Sequence, residues 1–126
     1  MTTMVHFESA GAHYCLPVEA TRGVRVATGL VALPVPRDDV AGIVPGDPPL
    51  TVIAPLGAGG RQVLVVESQG KTFGLLVDLV TGLGKVEADQ ICGPPDGQHR
   101  NLVCGTITNG ETLVLVTDPA ALAGRL

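Results

Sequence analysis

Val63-Leu64-Val65-Val66-Glu67-Ser68-Gln69-Gly70-Lys71-Thr72-Phe73-Gly74-Leu75-Leu76-Val77-Asp78 sets two apolar runs on either side of a polar turn. A strand with one wet face alternates apolar and polar residues, because successive side chains point to opposite sides of the sheet. Neither run alternates. Each therefore reads as a strand covered on both faces, and Ser68-Gln69-Gly70-Lys71 joins them as a hairpin. Asp78 ends the second run. A carboxylate at a strand end or bend is expected to accept backbone amide hydrogen bonds, which is a structural role.

The same pattern extends toward the amino terminus. Val5-His6-Phe7-Glu8 alternates, Ala10-Gly11-Ala12 is a turn, and Tyr14, Leu16 and Val18 return apolar groups on one face, giving a first hairpin. Val24 and Val26 flank Arg25 with period two. Leu30 to Leu33 is a short apolar run ended by Pro34 and Pro36, and proline, lacking a ladder donor, excludes a central strand there. Arg37, Asp38 and Asp39 read as a solvated turn. Ile43 and Val44 lead into Pro45-Gly46-Asp47-Pro48-Pro49, after which Leu50 to Ile53 forms another short strand. Gly57-Ala58-Gly59-Gly60 is the sharpest break in composition and is read as a flexible boundary between residues 1–57 and 58–126.

Toward the carboxyl terminus, Glu87 to Ile91 could form a brief helical stretch. Thr106-Ile107-Thr108 and Glu111 to Thr117 flank Asn109-Gly110, a pair that tolerates the positive φ of a type I′ turn. Asp118 as N-cap and Pro119 in the first turn begin a short helix through Ala120, Ala121 and Leu122. About eight to ten short strands punctuated by Gly and Pro imply an all-β fold, either barrels or a sandwich.

Composition limits the functions available. Of the 126 residues, 45 % are hydrophobic and 16 % charged, which excludes disorder and permits a core built from Val, Leu, Ile and Ala, since Phe7, Tyr14 and Phe73 are the only aromatics. The net charge of −4, with no basic patch interleaved with aromatics, argues against nucleic acid as a partner. Met1 to Gly11 lacks the basic and apolar regions of a secretory signal, and no apolar run is long enough to span a bilayer, so a cytoplasmic protein without membrane insertion is expected. Cys15, Cys92 and Cys104 are an odd set at irregular spacing, which fits a reducing compartment.

Motifs that could carry chemistry are incomplete. Gly70-Lys71-Thr72 resembles the end of a phosphate loop, but the first glycine of that motif would fall on Val65, and strands rather than a helix follow. Gly57-Ala58-Gly59-Gly60 lacks the strand, helix and downstream acid of a dinucleotide fingerprint. Cys92, His99 and Cys104 could hold a metal with a fourth ligand from His6, His13 or Cys15, yet none is paired at the spacing that puts two ligands in one turn. A small metal- or ligand-binding β-domain using Cys92, His99 and Cys104 is thus the alternative reading. Cys15 and Cys104 fall in predicted strands among apolar neighbours, where thiols are inert. No catalytic residue, cofactor or metal is expected.

Taken in order, several segments resemble CheW-like domains, the adaptor of bacterial chemotaxis and the regulatory domain of its histidine kinase CheA. These are Tyr14-Cys15-Leu16-Pro17-Val18, Leu33-Pro34 with Val40-Ala41-Gly42-Ile43-Val44, Gly74-Leu75-Leu76-Val77-Asp78-Leu79-Val80, and Gly105 with Leu113-Val114-Leu115-Val116 and Asp118-Pro119. The resemblance implies two five-stranded, SH3-like β-barrels sharing a hydrophobic core, with a short carboxy-terminal helix. It further implies a non-enzymatic scaffold with three kinds of partner: a CheA-type histidine kinase, the cytoplasmic tip of a methyl-accepting chemoreceptor, and other CheW-like domains. By matching position, the receptor groove would use Val24, Val40, Gly42, Ile43 and Val44, with Gly42 admitting the partner backbone. Kinase contact would use Leu79, Val80, Leu83 and Val86, rimmed by Lys85 and Glu87. The chain departs from the family where Asn-Leu-Arg-Gly is usual: it has Pro45-Gly46-Asp47-Pro48, so Asp47 reverses the charge of the arginine, and Val52-Ile53-Ala54-Pro55-Leu56 lacks the family's acid.

Overall fold

The computed structural model describes residues 2–32, 39–46, 49–56, 60–93 and 102–126. Among the described residues there are ten strands: β1 (Thr2–Ser9), β2 (Ala12–Pro17), β3 (Thr21–Val26), β4 (Val40–Val44), β5 (Leu50–Ile53), β6 (Gln62–Ser68), β7 (Lys71–Val77), β8 (Leu79–Val86), β9 (Val103–Asn109) and β10 (Thr112–Thr117), followed by helix α1 (Pro119–Ala123). They form two five-stranded sheets, one in the order β8-β1-β2-β10-β9 and the other β3-β6-β7-β5-β4. The two sheets share one plan. In each, an edge strand joins a hairpin, which meets a second hairpin through a parallel contact, β2 with β10 in the first sheet and β5 with β7 in the second. The all-β architecture and carboxy-terminal helix expected from the sequence are therefore present.

Division at the glycine-rich segment is corrected by this pairing. β1 and β2 belong with β8, β9 and β10, so the sheets interleave along the chain instead of following one another. The physical reason is that hairpin signals are local, whereas each sheet is completed by a parallel contact between segments far apart in sequence. Crossings between the sheets occur at the 3-10 turn Val18–Ala20 and at Asp78. Of the glycine-rich segment only Gly60 is described; Gly57, Ala58 and Gly59 lie outside the described residues, as do Leu33 to Asp38.

Three apolar clusters explain the unalternating runs. Val5, Phe7, Tyr14 and Leu16 of the first sheet meet Leu64, Val66, Phe73, Leu75 and Val77 of the second, forming a core between the sheets that Leu102 and Leu122 close. Phe7 and Tyr14 stack with ring centroids 5.6 Å apart. Met4, Cys15, Val86, Ile107, Val114 and Val116 fill the other face of the first sheet, and Leu50, Val52, Val63, Val65 and Leu76 that of the second. β6 thus sends Val63 and Val65 to one core and Leu64 and Val66 to the other.

Turn chemistry follows sequence in two hairpins and departs in a third. Ala10 and Gly11, with φ of 51° and 80°, and Gln69 and Gly70, with 58° and 73°, have the paired positive φ of type I′ turns. At the last hairpin Asn109 pairs with Thr112, so the central residues are Gly110 and Glu111 rather than Asn109 and Gly110. Only Gly110 has positive φ there, at 63°, the pattern of a type II′ turn. Asp118 caps α1 by accepting the Ala120 amide at 3.0 Å, and Arg125 beyond the helix reaches Asp39 at 3.0 Å. The brief helical stretch after Glu87 is a 3-10 turn, Ala88–Gln90, with a capping box between Glu87 and Gln90.

Asp78 stands where the chain leaves one sheet for the other. Its Oδ2 accepts the Ala10 amide at 3.0 Å, and its own amide donates to the Glu8 carbonyl at 2.9 Å. The crossover is thereby tied to the tip of the β1–β2 hairpin. Removing the carboxylate in Asp78→Ala leaves the Ala10 amide to water, and an exposed, charge-assisted hydrogen bond of this kind contributes about 1 kcal/mol. A loss of that size in urea unfolding is the expected outcome, with Asp78→Asn, which keeps one acceptor, intermediate.

Candidate functional site

Exposed apolar side chains on rigid strands are what this fold offers a partner, and they cluster in the edge strands. β3 and β4 are the edges of one sheet, β8 and β9 those of the other. Two edges are covered by the chain's own backbone. Val31 exchanges both hydrogen bonds with Ile43 of β4, at 2.9 and 2.8 Å, and Cys92 does the same with Thr106 of β9, at 2.8 and 3.1 Å. β3 and β8 carry no such cover among the described residues.

That arrangement changes the reading of Gly42. A Cβ at this position would lie 2.3 Å from the Val31 carbonyl oxygen, so the space the missing side chain opens is already filled by the chain's own Leu30 and Val31. Val40 packs against the core between the sheets and Val44 against the cluster of its own sheet, both half-buried, and Ile43 is half-buried at the Val31 bridge. Val24 lies apart from these four, on the opposite edge strand. It is exposed, and so is Val26, at 64 %. Pro45 and Gly46 are exposed; Asp47 and Pro48 lie outside the described residues.

The four residues expected to meet a kinase are all on β8, with different exposures. Val86 is buried in the core of its own sheet, which removes it from the surface, and Val80 is half-buried, packed against the core between the sheets. Leu79 is exposed at 47 % and Leu83 at 68 %. A register shift explains how they differ from one another. Leu79 pairs with Glu8 and Leu83 with Val5, while Thr81 has no partner across from it. Paired side chains share a face, and Glu8 and Val5 are on opposite faces of β1, so the bulge at Thr81 turns Leu79 and Leu83 to opposite sides of β8. The Thr81 hydroxyl fixes the bulge by donating to the His6 carbonyl at 3.2 Å.

Sequence reasoning missed the surface that joins β3 to the start of β8. One open groove is lined by Val26, Ala27, Thr28, Gly60 and Arg61, and a second by Arg61, Gln62, Asp78 and Leu79, so Arg61 belongs to both. The Gln62 side chain accepts the Val80 amide at 2.7 Å and holds the floor of the second groove between the sheets. The period-two spacing of Val24 and Val26 was the available signal. Arg61 gave none, because its position depends on which strands meet.

A further groove of about 460 Å³ in the first sheet is lined by His6, His13, Thr81, Leu83, Gly84 and Val114 among others. His13 Nδ1 stands 3.8 Å from Glu8 Oε1. Gly84 makes room for the other imidazole, since a Cβ there would lie 2.7 Å from His6 Nε2. Among the described residues no three His, Cys, Asp or Glu side chains are grouped to hold a metal ion. His99 lies outside the described residues; Cys92 and Cys104 are both exposed, and Cys104 lies in β9, where burial first and Asp118 second hold its thiol above the ordinary value. Cys15 is buried, and burial first, with Cys104 nearby second, pushes its thiol up to about 12. It is protonated and unreactive at neutral pH. No helix among the described residues is long and apolar enough to cross a membrane.

The family model of the CheW-like domain matches residues 50–126, more than half of the chain. Among solved structures, the chain is similar to the scaffolding protein TtCheW from Thermoanaerobacter tengcongensis, with a TM-score of 0.80 and 20 % sequence identity over 93 % of this chain and 88 % of that one. At that identity the likeness speaks for the fold. No curated protein matches the chain.

The His6 imidazole is held below its ordinary value of 6.5 by burial. Between the folded and ordinary values the unfolded chain binds the proton that the folded chain does not, so stability rises with pH across that window and is lost as pH falls through it. The melting temperature should drop between pH 7.5 and 5.5. In His6→Gln that drop should be smaller, measured by thermal unfolding at matched ionic strength.

Proposed function

This chain belongs to the CheW-like domain family, and on that basis we propose that it is a non-catalytic cytoplasmic adaptor coupling a chemoreceptor tip to a CheA-type histidine kinase. The observation that carries the reading is the presence of exposed apolar side chains at separate places on a rigid two-sheet frame. Val26 and Leu79 line the grooves around Arg61, Val24 is exposed two residues before Val26 on β3, and Leu83 projects from the other side of β8. A coupler must hold two partners at once, and separate surfaces allow it.

The groove surface suits a helix. An amphipathic receptor helix laid along β3 would set its apolar stripe against Val24 and Val26 and reach Leu79 across Arg61. Leu83 supplies the kinase contact, with Lys85 beside it as a polar rim. Val40, Ile43 and Val44 act at second hand, by holding the β4 edge against Val31. Asp47 carries the opposite charge to the arginine usual in the family, so receptor contact here leans on β3 rather than on the loop after β4. Other CheW-like domains are further candidate partners.

The test is retention of two fragments by the purified full chain: a CheA regulatory domain and a chemoreceptor tip. Both should be retained. Leu83→Glu should weaken kinase binding at least tenfold and leave the receptor fragment, and Val24→Glu should do the reverse, each with an unchanged melting temperature because both side chains are exposed; tenfold corresponds to about 1.4 kcal/mol, within the range of a single interface anchor. Retention of neither fragment by the unmodified chain would reject the coupling role.

A further inference from the structure

We infer that Val24 on β3 and Leu83 on β8 are the same position in two copies of one five-stranded unit, and that the residue two places beyond each, Val26 or Lys85, decides which partner that edge accepts. This rests on the coupling reading above and names what tells its two surfaces apart. The pairing carries the first part. Thr21, Gly23, Val24, Arg25 and Val26 of β3 stand across from Val66, Val65, Leu64, Val63 and Gln62 of β6. In the other sheet Val80, Gly82, Leu83, Gly84 and Lys85 of β8 stand across from Phe7, His6, Val5, Met4 and Thr3 of β1, and every residue of these two sets is 59 positions from its counterpart. Arg22 and Thr81 are the unpaired residues of the two bulges, each followed by a glycine with φ of 146°. The preceding hairpins agree in sequence as well, Glu8-Ser9-Ala10-Gly11 against Glu67-Ser68-Gln69-Gly70. β1–β5 are thus repeated as β6–β10, and each unit lends its last three strands to the sheet of the other.

Equivalent backbones leave the side chains to separate the two surfaces. Residues two apart in a strand share a face, and no register shift falls between Val24 and Val26 or between Leu83 and Lys85, so each pair is presented to one partner. Arg25 and Gly84 lie between them on the opposite face and do not meet that partner. All four of the paired residues are exposed. β3 therefore offers two apolar side chains in line, and β8 one apolar side chain followed by an ammonium. A helix whose apolar stripe covers both positions gains from each on β3. On β8 the same stripe would strip water from Lys85 and return nothing polar to it, which is a penalty against the wrong partner rather than a gain for the right one. The element that docks on β8 is accordingly one whose apolar contact ends at Leu83 and whose surface beyond it stays hydrated.

The probes are a chemoreceptor tip and a CheA regulatory domain, titrated calorimetrically into the full chain, with the melting temperature of each variant recorded. Val26→Lys should weaken the tip about tenfold, and Val26→Gln, polar but uncharged, should weaken it less. The decisive variant is a rescue. Val24→Glu loses the tip, and Lys85→Val added to it should return binding through β8, about tenfold weaker than in the unmodified chain because Ala20 stands 59 positions before Leu79 and takes its place beside that edge. The returned binding should disappear again on Leu83→Glu, and the kinase fragment should compete with it. A folded Val24→Glu, Lys85→Val chain that still does not bind the tip, or tip binding that Val26→Lys leaves untouched, overturns the inference while the coupling reading stands. Loss of the tip on Leu83→Glu in the otherwise unmodified chain would also overturn it, since the tip would then already use β8. If the unmodified chain binds neither fragment, both readings fall together.

Discussion

Everything in this fold depends on β6 and β7 being apolar on both faces. One face closes the interior of their own sheet through Val63, Val65 and Leu76, and the other, through Leu64, Val66, Phe73, Leu75 and Val77, meets the first sheet. Each fully buried aliphatic contributes roughly 1.5–3 kcal/mol, so the core between the sheets is large compared with the net stability of a domain. Five short strands with a single wet face could not supply this. The sheets are therefore halves of one folding unit. α1 reinforces the point by leaving β10 of the first sheet and packing against β6 of the second, where Arg125 reaches Asp39.

What the sequence made legible was local. Two hairpins could be read from their turns and the N-cap from Asp118, because each depends on residues close in the chain. Pairing partners could not be read. β2 beside β10 and β5 beside β7 are parallel contacts between distant segments, and no residue pattern states which two strands meet. The same gap explains the misplaced surface residues. Val80 and Val86 looked equivalent to Leu79 and Leu83 in a run of aliphatics, and their differing burial depends on which segments pack over each of them. At Gly42 the backbone that approaches closely is Val31 of the same chain, a neighbour no local pattern names. The last hairpin slid by one residue from the expected turn because Gly at the first central position suits type II′ as well as Asn-Gly suits type I′.

An all-β protein with four edge strands has to keep them from pairing with strangers. Here the chain does this unevenly. The edges at β4 and β9 are spent on short bridges from Val31 and Cys92, the β8 edge is bent by a bulge, and β3 carries Arg22 and Arg25 along its length. Apolar exposure is concentrated on the two edges the chain leaves uncovered.

The interleaved order of strands sets a schedule for synthesis. By the time Val77 has emerged, β3 to β7 are all available and the second sheet can close. β1 and β2, which precede the second sheet in the chain, need β8, β9 and β10 beyond it before their own sheet is complete. The second sheet supplies the surface on which Val5, Phe7, Tyr14 and Leu16 pack. The amino-terminal hairpin therefore has two sets of neighbours, one across the core from strands that are consecutive in the chain and one within its own sheet from strands that lie beyond them.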